Sequence, residues 1–156
     1  MKGILVLIAV TSVAVTAIAY GIAVGGNYHG NVKGDPRPGS GLSFDLVKTK
    51  NGKSVRKVVA SGLDYTCEGG SPGDTSAVIL EGGFPVNDRK FGGRTDATIA
   101  GFDPPARFAG RLRNGGRATG VIRVKGELDP KGQPGVDCDT DRQEWRAQRG
   151  DEPLEP

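Results

Sequence analysis

Along most of this chain apolar and polar residues alternate with a period of two, the pattern of strands that bury one face. The clearest case runs from Arg117 to Leu128. Ala118, Gly120, Ile122, Val124, Gly126 and Leu128 fall on one side and Arg117, Thr119, Arg123, Lys125 and Glu127 on the other, with Val121 as the exception. Leu42, Phe44 and Leu46 alternate in the same way with Ser43 and Asp45. Asn51-Gly52 tolerates positive φ and predicts a hairpin, with a return strand near Val55 to Ala60 that continues through Leu63 and Tyr65 to Cys67. Ala77-Val78-Ile79-Leu80 reads as a fully buried strand. Lys90-Phe91-Gly92-Gly93-Arg94 and Arg107-Phe108-Ala109-Gly110-Arg111 resemble each other and read as related strands of one sheet. The second of these pairs with the Arg117 strand through the turn at Asn114-Gly115-Gly116. A last strand, Glu144 to Gln148, turns Trp145 and Ala147 inward.

The first residues break this pattern. From Ile4 to Val24 there is no charged residue, and Lys2 precedes the run as a short positive segment. Ala17-Ile18-Ala19 supplies small residues at the positions a signal peptidase reads, so residues 1–19 are expected to be a signal peptide and the mature chain to begin at Tyr20. The alternative is an uncleaved anchor over residues 4–24, long enough to span a bilayer as a helix. Thr11, Ser12, Thr16, Tyr20 and Gly21 dilute its second half and favour cleavage. Either way the rest of the chain is expected outside the cytoplasm, secreted or held at the membrane by this segment alone. There an even pair of thiols, Cys67 and Cys138, fits a single disulfide. It would close a loop of about 70 residues and contribute roughly 4 kcal/mol in the chain-entropy model. A reactive or metal-binding pair would want a CxxC spacing or a nearby histidine, and neither is present.

Composition narrows the class. The chain has 26 glycines and 10 prolines in 156 residues, without a collagen period, so the glycines punctuate short strands. Lys and Arg number 21 against 18 Asp and Glu. That balance is no basic stripe, and nucleic-acid binding is disfavoured. Residues 20–40 read as a Gly/Pro-rich linker with an edge segment around Tyr28, residues 41–149 as one domain and residues 150–156 as a disordered tail. The fold expected is all-β: a two-layer antiparallel β-sandwich with one disulfide, preceded by the N-terminal signal helix.

With that order of features in view, the chain resembles a group of uncharacterised small secreted all-β proteins of high-GC bacteria, without established activity. The resemblance is carried by Tyr28-x-Gly30, Tyr65-Thr66-Cys67, Arg107-Phe108-Ala109-Gly110-Arg111, Ala118-Thr119-Gly120-Val121-Ile122-Arg123-Val124 and Cys138 followed by Trp145-Arg146-Ala147. It implies a disulfide-linked β-sandwich and brings no catalytic residues. The chain departs from the group at Asp137-Cys138-Asp139-Thr140-Asp141, where fewer acids are expected, and that leaves a local metal site open.

Candidate chemistry is sparse. His29 is the single histidine and reads as a solvated loop residue, which removes histidine-based nucleophilic triads and the usual zinc sites. Asp137, Asp139 and Asp141 alternate like the opening of a calcium loop. The sixth position, however, is Arg142 and the twelfth Gln148, where an EF-hand needs Gly and Glu. Asp64, Glu68, Asp74, Glu81, Asp88, Asp96 and Asp103 are scattered over expected loops, whereas a glycosidase needs two carboxylates at a fixed separation in a cleft. Gly92-Gly93 and Gly115-Gly116 open no helix and lack the Lys-Ser/Thr of a phosphate-cradling loop. Arg94, Arg107, Arg111, Arg123 and Lys125 are expected to share the solvent face of one sheet, and Arg107, Arg111 and Arg123 are the candidate contacts to an anionic partner such as a wall polymer or acidic protein. The expectation is therefore a non-enzymatic exported binding or structural module, with no cofactor, no catalytic set and no assigned metal ligand. The alternatives are a small secreted hydrolase using loop carboxylates and a calcium-stabilised extracellular binding domain.

Overall fold

The structure is a computed structural model and describes residues 26–32, 41–127 and 135–150. The segment before Gly26, most of the expected linker, Leu128 at the end of the expected strand and the tail after Gly150 lie outside the described residues.

The described chain is all-β. Its strands are β1 (Gly26–Val32), β2 (Gly41–Thr49), β3 (Gly52–Ser61), β4 (Asp64–Cys67), β5 (Pro72–Asp74), β6 (Ala77–Val86), β7 (Lys90–Thr98), β8 (Pro105–Leu112), β9 (Arg117–Gly126), β10 (Cys138–Asp139) and β11 (Gln143–Arg149). Eight of them, β1, β2, β3, β6, β7, β8, β9 and β11, pair antiparallel with the next in turn, and β11 pairs with both β9 and β1. The sheet is a closed barrel, which corrects the expected two-layer sandwich. Period-two alternation says which side of a strand is buried; it is equally consistent with an interior between two sheets and one inside a single closed sheet. Closure is decided by the pairing of β1 with β11 and by sheet curvature. At Lys57, which has φ of 51°, and Gly82, with φ of 86°, the registers of β3 with β2 and β6 shift. Such bulges coil a sheet, and this one carries the buried face from Val55 to Val58 and Ala60.

β1 is likewise no edge: it is hydrogen-bonded to β2 on one side and β11 on the other. The apolar run of β6 alternates, with Val78 and Leu80 buried and Ile79 46% exposed. It therefore lines the barrel with one face only.

An eight-stranded barrel has an interior just wide enough for side chains to fill, and here aromatic rings do so. Phe108 and Trp145 stack with centroids 5.2 Å apart, Tyr28 and Phe44 at 4.7 Å, and Phe44 lies 5.7 Å from Trp145. The indole needs room, and the register supplies it. Trp145 faces Gly120, Gly120 faces Gly110 and Gly110 faces Phe91 along one row across β11, β9, β8 and β7. A Cβ on Gly110 would lie 2.6 Å from both Trp145 Cζ2 and Phe91 Cζ, so these two glycines are the seat of the ring.

Beyond the barrel, β9 continues past β11 to pair with β10, which pairs with β4, which pairs with β5. Cys67 and Cys138 are register partners in this annex and are joined by a disulfide. The expected bridge is present, and it joins neighbouring strands of this annex. Thr75 and Thr140, both buried, tie the annex to the barrel: their hydroxyls accept the N–H groups of Leu63 (3.0 Å) and Val124 (2.9 Å).

Candidate anion-binding face

The two similar segments singled out in the sequence are antiparallel neighbours. Phe91 of β7 faces Gly110 of β8, and Phe108 of β8 faces Gly93 of β7, so each ring lies inside the barrel across from a glycine. The same register puts cations opposite cations outside: Lys90 faces Arg111 and Arg94 faces Arg107. Because the pattern basic-Phe-x-Gly-basic runs in both strands, antiparallel pairing cannot match rings with glycines without also matching the charges.

β9 extends both rows. Arg123 faces Arg107, so Arg94, Arg107 and Arg123 stand abreast on three strands. Four residues along β8, about 13 Å at the usual strand rise, Lys90, Arg111 and Thr119 form a second row that reaches Arg146 on β11. Between the rows lie Gly92, Ala109 and Val121, with the exposed Glu144 of β11 facing Val121. A groove of about 430 Å³ occupies this strip, floored by Ala109 and Val121 and rimmed by Arg94, Arg107, Arg123 and Arg142. All of these basic side chains are exposed.

Asp139 of β10 holds one of them. Arg123 Nε donates to Asp139 Oδ1 at 2.9 Å and its Nη2 donates to Oδ2, a two-pronged charge-assisted pair. Asp139 Oδ1 also accepts the Asp141 N–H at 2.9 Å. Arg123, and then the backbone bond, hold the Asp139 carboxyl below its ordinary range against the opposing effect of partial burial; Arg123 is correspondingly raised. Among the described residues Arg94 and Arg107 have no carboxylate partner.

The structure thus brings Arg107 and Arg123 together and keeps Arg111 on the same outer face in the second row. Lys125 faces Asp139, beside the annex. Sequence reasoning missed Arg142 and Arg146 as members of the face. Their spacing after Cys138 carried no signal of the β9–β11 register that places them there. His29 is not in a loop: it lies on β1 between Ser43 and Gln148, with Tyr28 and Gly30 turned inward on either side, and is half-buried.

Asp137, Asp139 and Asp141 do not converge. Among the described residues no three His, Cys, Asp or Glu side chains gather as a metal-holding group. Of the scattered carboxylates, Glu81 and Asp103 approach a common point, the Thr98 hydroxyl, at 3.5 and 3.2 Å, and both are exposed.

Comparison of the chain with protein-family models, with curated proteins and with solved structures returned no match.

Proposed function

We propose that this chain is a non-enzymatic, exported β-barrel module that binds an anionic partner of the cell envelope along the strip between its two basic rows. The observation that carries the reading is the cross-strand triplet Arg94–Arg107–Arg123. Like charges directly opposite each other weaken a sheet, and a water-facing barrel gains nothing from that arrangement by itself. An anion seated between the arginines turns the repulsion into binding energy, and Ala109 and Val121 give it an apolar floor. The Asp139 pair holds Arg123 in place, so one cation of the row is positioned in advance.

The exterior also supports a barrel that faces water. Strands that cross a membrane as a barrel carry an apolar outer band, whereas the outward positions here include Asp45, Arg56, Arg94, Arg107 and Arg123. The disulfide fits an oxidising compartment.

Retention on a phosphocellulose column tests the reading. The wild-type chain should be retained and should elute with rising salt, and Arg94→Gln with Arg107→Gln should elute early while keeping the disulfide and the melting transition. Equal retention of the two proteins would sink the proposal. Glu81→Gln with Asp103→Asn serves as a matched control on the acidic side and should not elute earlier than wild type.

A further inference from the structure

The barrel is electrically polarised from end to end. At one end lie the turns β2–β3, β6–β7 and β8–β9 together with the start of β1 and the finish of β11, as the registers Thr49↔Gly52, Lys53↔Val86, Leu112↔Ala118 and Tyr28↔Arg149 show. The β2–β3 turn carries Lys48, Lys50 and Lys53 and no acid. The β8–β9 turn carries Arg111, Arg113 and Arg117 and no acid. The β6–β7 turn adds Arg89 and Lys90 with Asp88, and β11 finishes on Arg149. Every one of these side chains is exposed. Arg89 Nη1 donates to Asn114 Oδ1 at 2.8 Å and the Leu112 N–H to the Arg89 carbonyl at 2.8 Å, which fasten two of the turns to each other.

The opposite end is acidic. Asp64, Glu68 and Asp74 lie in and between β4 and β5, and Asp96 and Asp103 flank the connection from β7 to β8. Asp137, Asp139 and Asp141 surround β10. Among the described residues there, Arg123, which is paired with Asp139, Lys125 and Arg142 are the cations set against them.

We propose that the basic end is a docking surface for an anionic phospholipid membrane, with the disulfide-bearing annex held away from it. Two observations select this occupant. The cations are spread over separate turns at one tip, a shape suited to a charged plane. And the chain enters the barrel at that same tip: Gly26 begins β1 there, directly after the uncharged apolar run Ile4 to Val24 in the sequence. Where residues 4–24 stay attached as the uncleaved anchor, the part of the chain with affinity for hydrocarbon joins the barrel beside the cations that would meet the headgroups, and both act in the same direction. Cations within a Debye length of such a surface add their attractions. This surface shares Lys90 and Arg111 with the second basic row, while the arginines that rim the groove, Arg94, Arg107, Arg123 and Arg142, lie outside it.

The test is amide hydrogen exchange on the full chain bound to vesicles of phosphatidylcholine alone and of phosphatidylcholine with phosphatidylglycerol. On the anionic vesicles the amides of turns 49–52, 86–90 and 112–117 should exchange about tenfold more slowly or less, and 0.5 M salt should reverse the effect in keeping with a Debye length of about 4 Å. The annex should be unchanged, and on neutral vesicles these turns should exchange faster than on anionic ones. In Lys48→Glu, Lys50→Glu, Arg113→Glu, Arg117→Glu the slowing should vanish while the amides of β8 and β9 keep wild-type exchange, which shows that the barrel is intact. Equal exchange on both lipids would overturn the proposal. So would slowing at both ends without vesicles at low salt, because that result would assign the basic end to the acidic end of a second copy.

Discussion

Trp145 is seated on Gly120, its register partner across β11 and β9, and the neighbouring Gly110 supports the far edge of the same indole. The two glycines fail differently when a side chain is added. At Gly110 the obstacles are rings, Trp145 and Phe91. At Gly120 they include the backbone carbonyl of Ala109 as well as the indole. Each alanine substitution is expected to cost about 1–3 kcal/mol through overpacking. In double-mutant cycles with Trp145→Phe, the cost at Gly110 should fall substantially, while the cost at Gly120 should persist. Urea denaturation of the six proteins reads both couplings.

The disulfide lies in the annex, outside the eight strands whose pairing closes the barrel. Replacing Cys67 and Cys138 by Ser is expected to cost about 2–5 kcal/mol. In the folded variant the loss should be local. Amides of β4, β5 and β10 should exchange faster, and the near-ultraviolet signal of Trp145 should keep its oxidised form. Loss of that signal together with the annex would mean that the bridge supports the barrel itself.

Stability should decline at both extremes of pH, for separate reasons. Asp139 has a folded pKa below the ordinary 3.8, so as the pH falls through that range the unfolded chain takes up the proton first and stability is lost. Burial pushes the Tyr28 hydroxyl above its ordinary 10.0, with Arg149 opposing. The unfolded chain releases that proton first as the pH rises past 10, and stability is lost again. Asp139→Asn should flatten the acid limb alone and Tyr28→Phe the alkaline limb alone, measured by denaturant titration across pH. A variant that flattens the opposite limb would contradict the assignment.

The legible part of this fold was strand by strand. Leu42, Phe44 and Leu46 point inward as their alternation required, and so do Ala118, Ile122 and Val124. Closure was not legible, because it depends on β1 meeting β11, residues more than a hundred positions apart, and the pattern of β1 is short and interrupted by Gly30. Alternation reached Val55 to Ala60 of β3 but not the bulge at Lys57, which lets Val55 and Val58 share a buried face that a regular strand would deny them. The basic face was half legible. Arg107, Arg111 and Arg123 follow from alternation within β8 and β9, but the standing of Arg107 and Arg123 abreast with Arg94, and of Arg111 opposite Lys90, follows only from register. The recurrence of basic-Phe-x-Gly-basic was the one signal that reached across strands, since it places like charges together in an antiparallel pair.

The central claim is that the barrel tolerates opposed arginines because an anion binds there. It is tested most directly by chemical denaturation of the wild-type chain and of Arg94→Gln with Arg107→Gln, each with and without inorganic polyphosphate. Without polyphosphate the variant should be as stable as wild type or more so, by up to about 1 kcal/mol from relief of the like-charge pair. With polyphosphate the wild type should gain stability through mass action and overtake the variant, which should gain little. A wild type that gains nothing, or a variant that gains as much, would contradict the account.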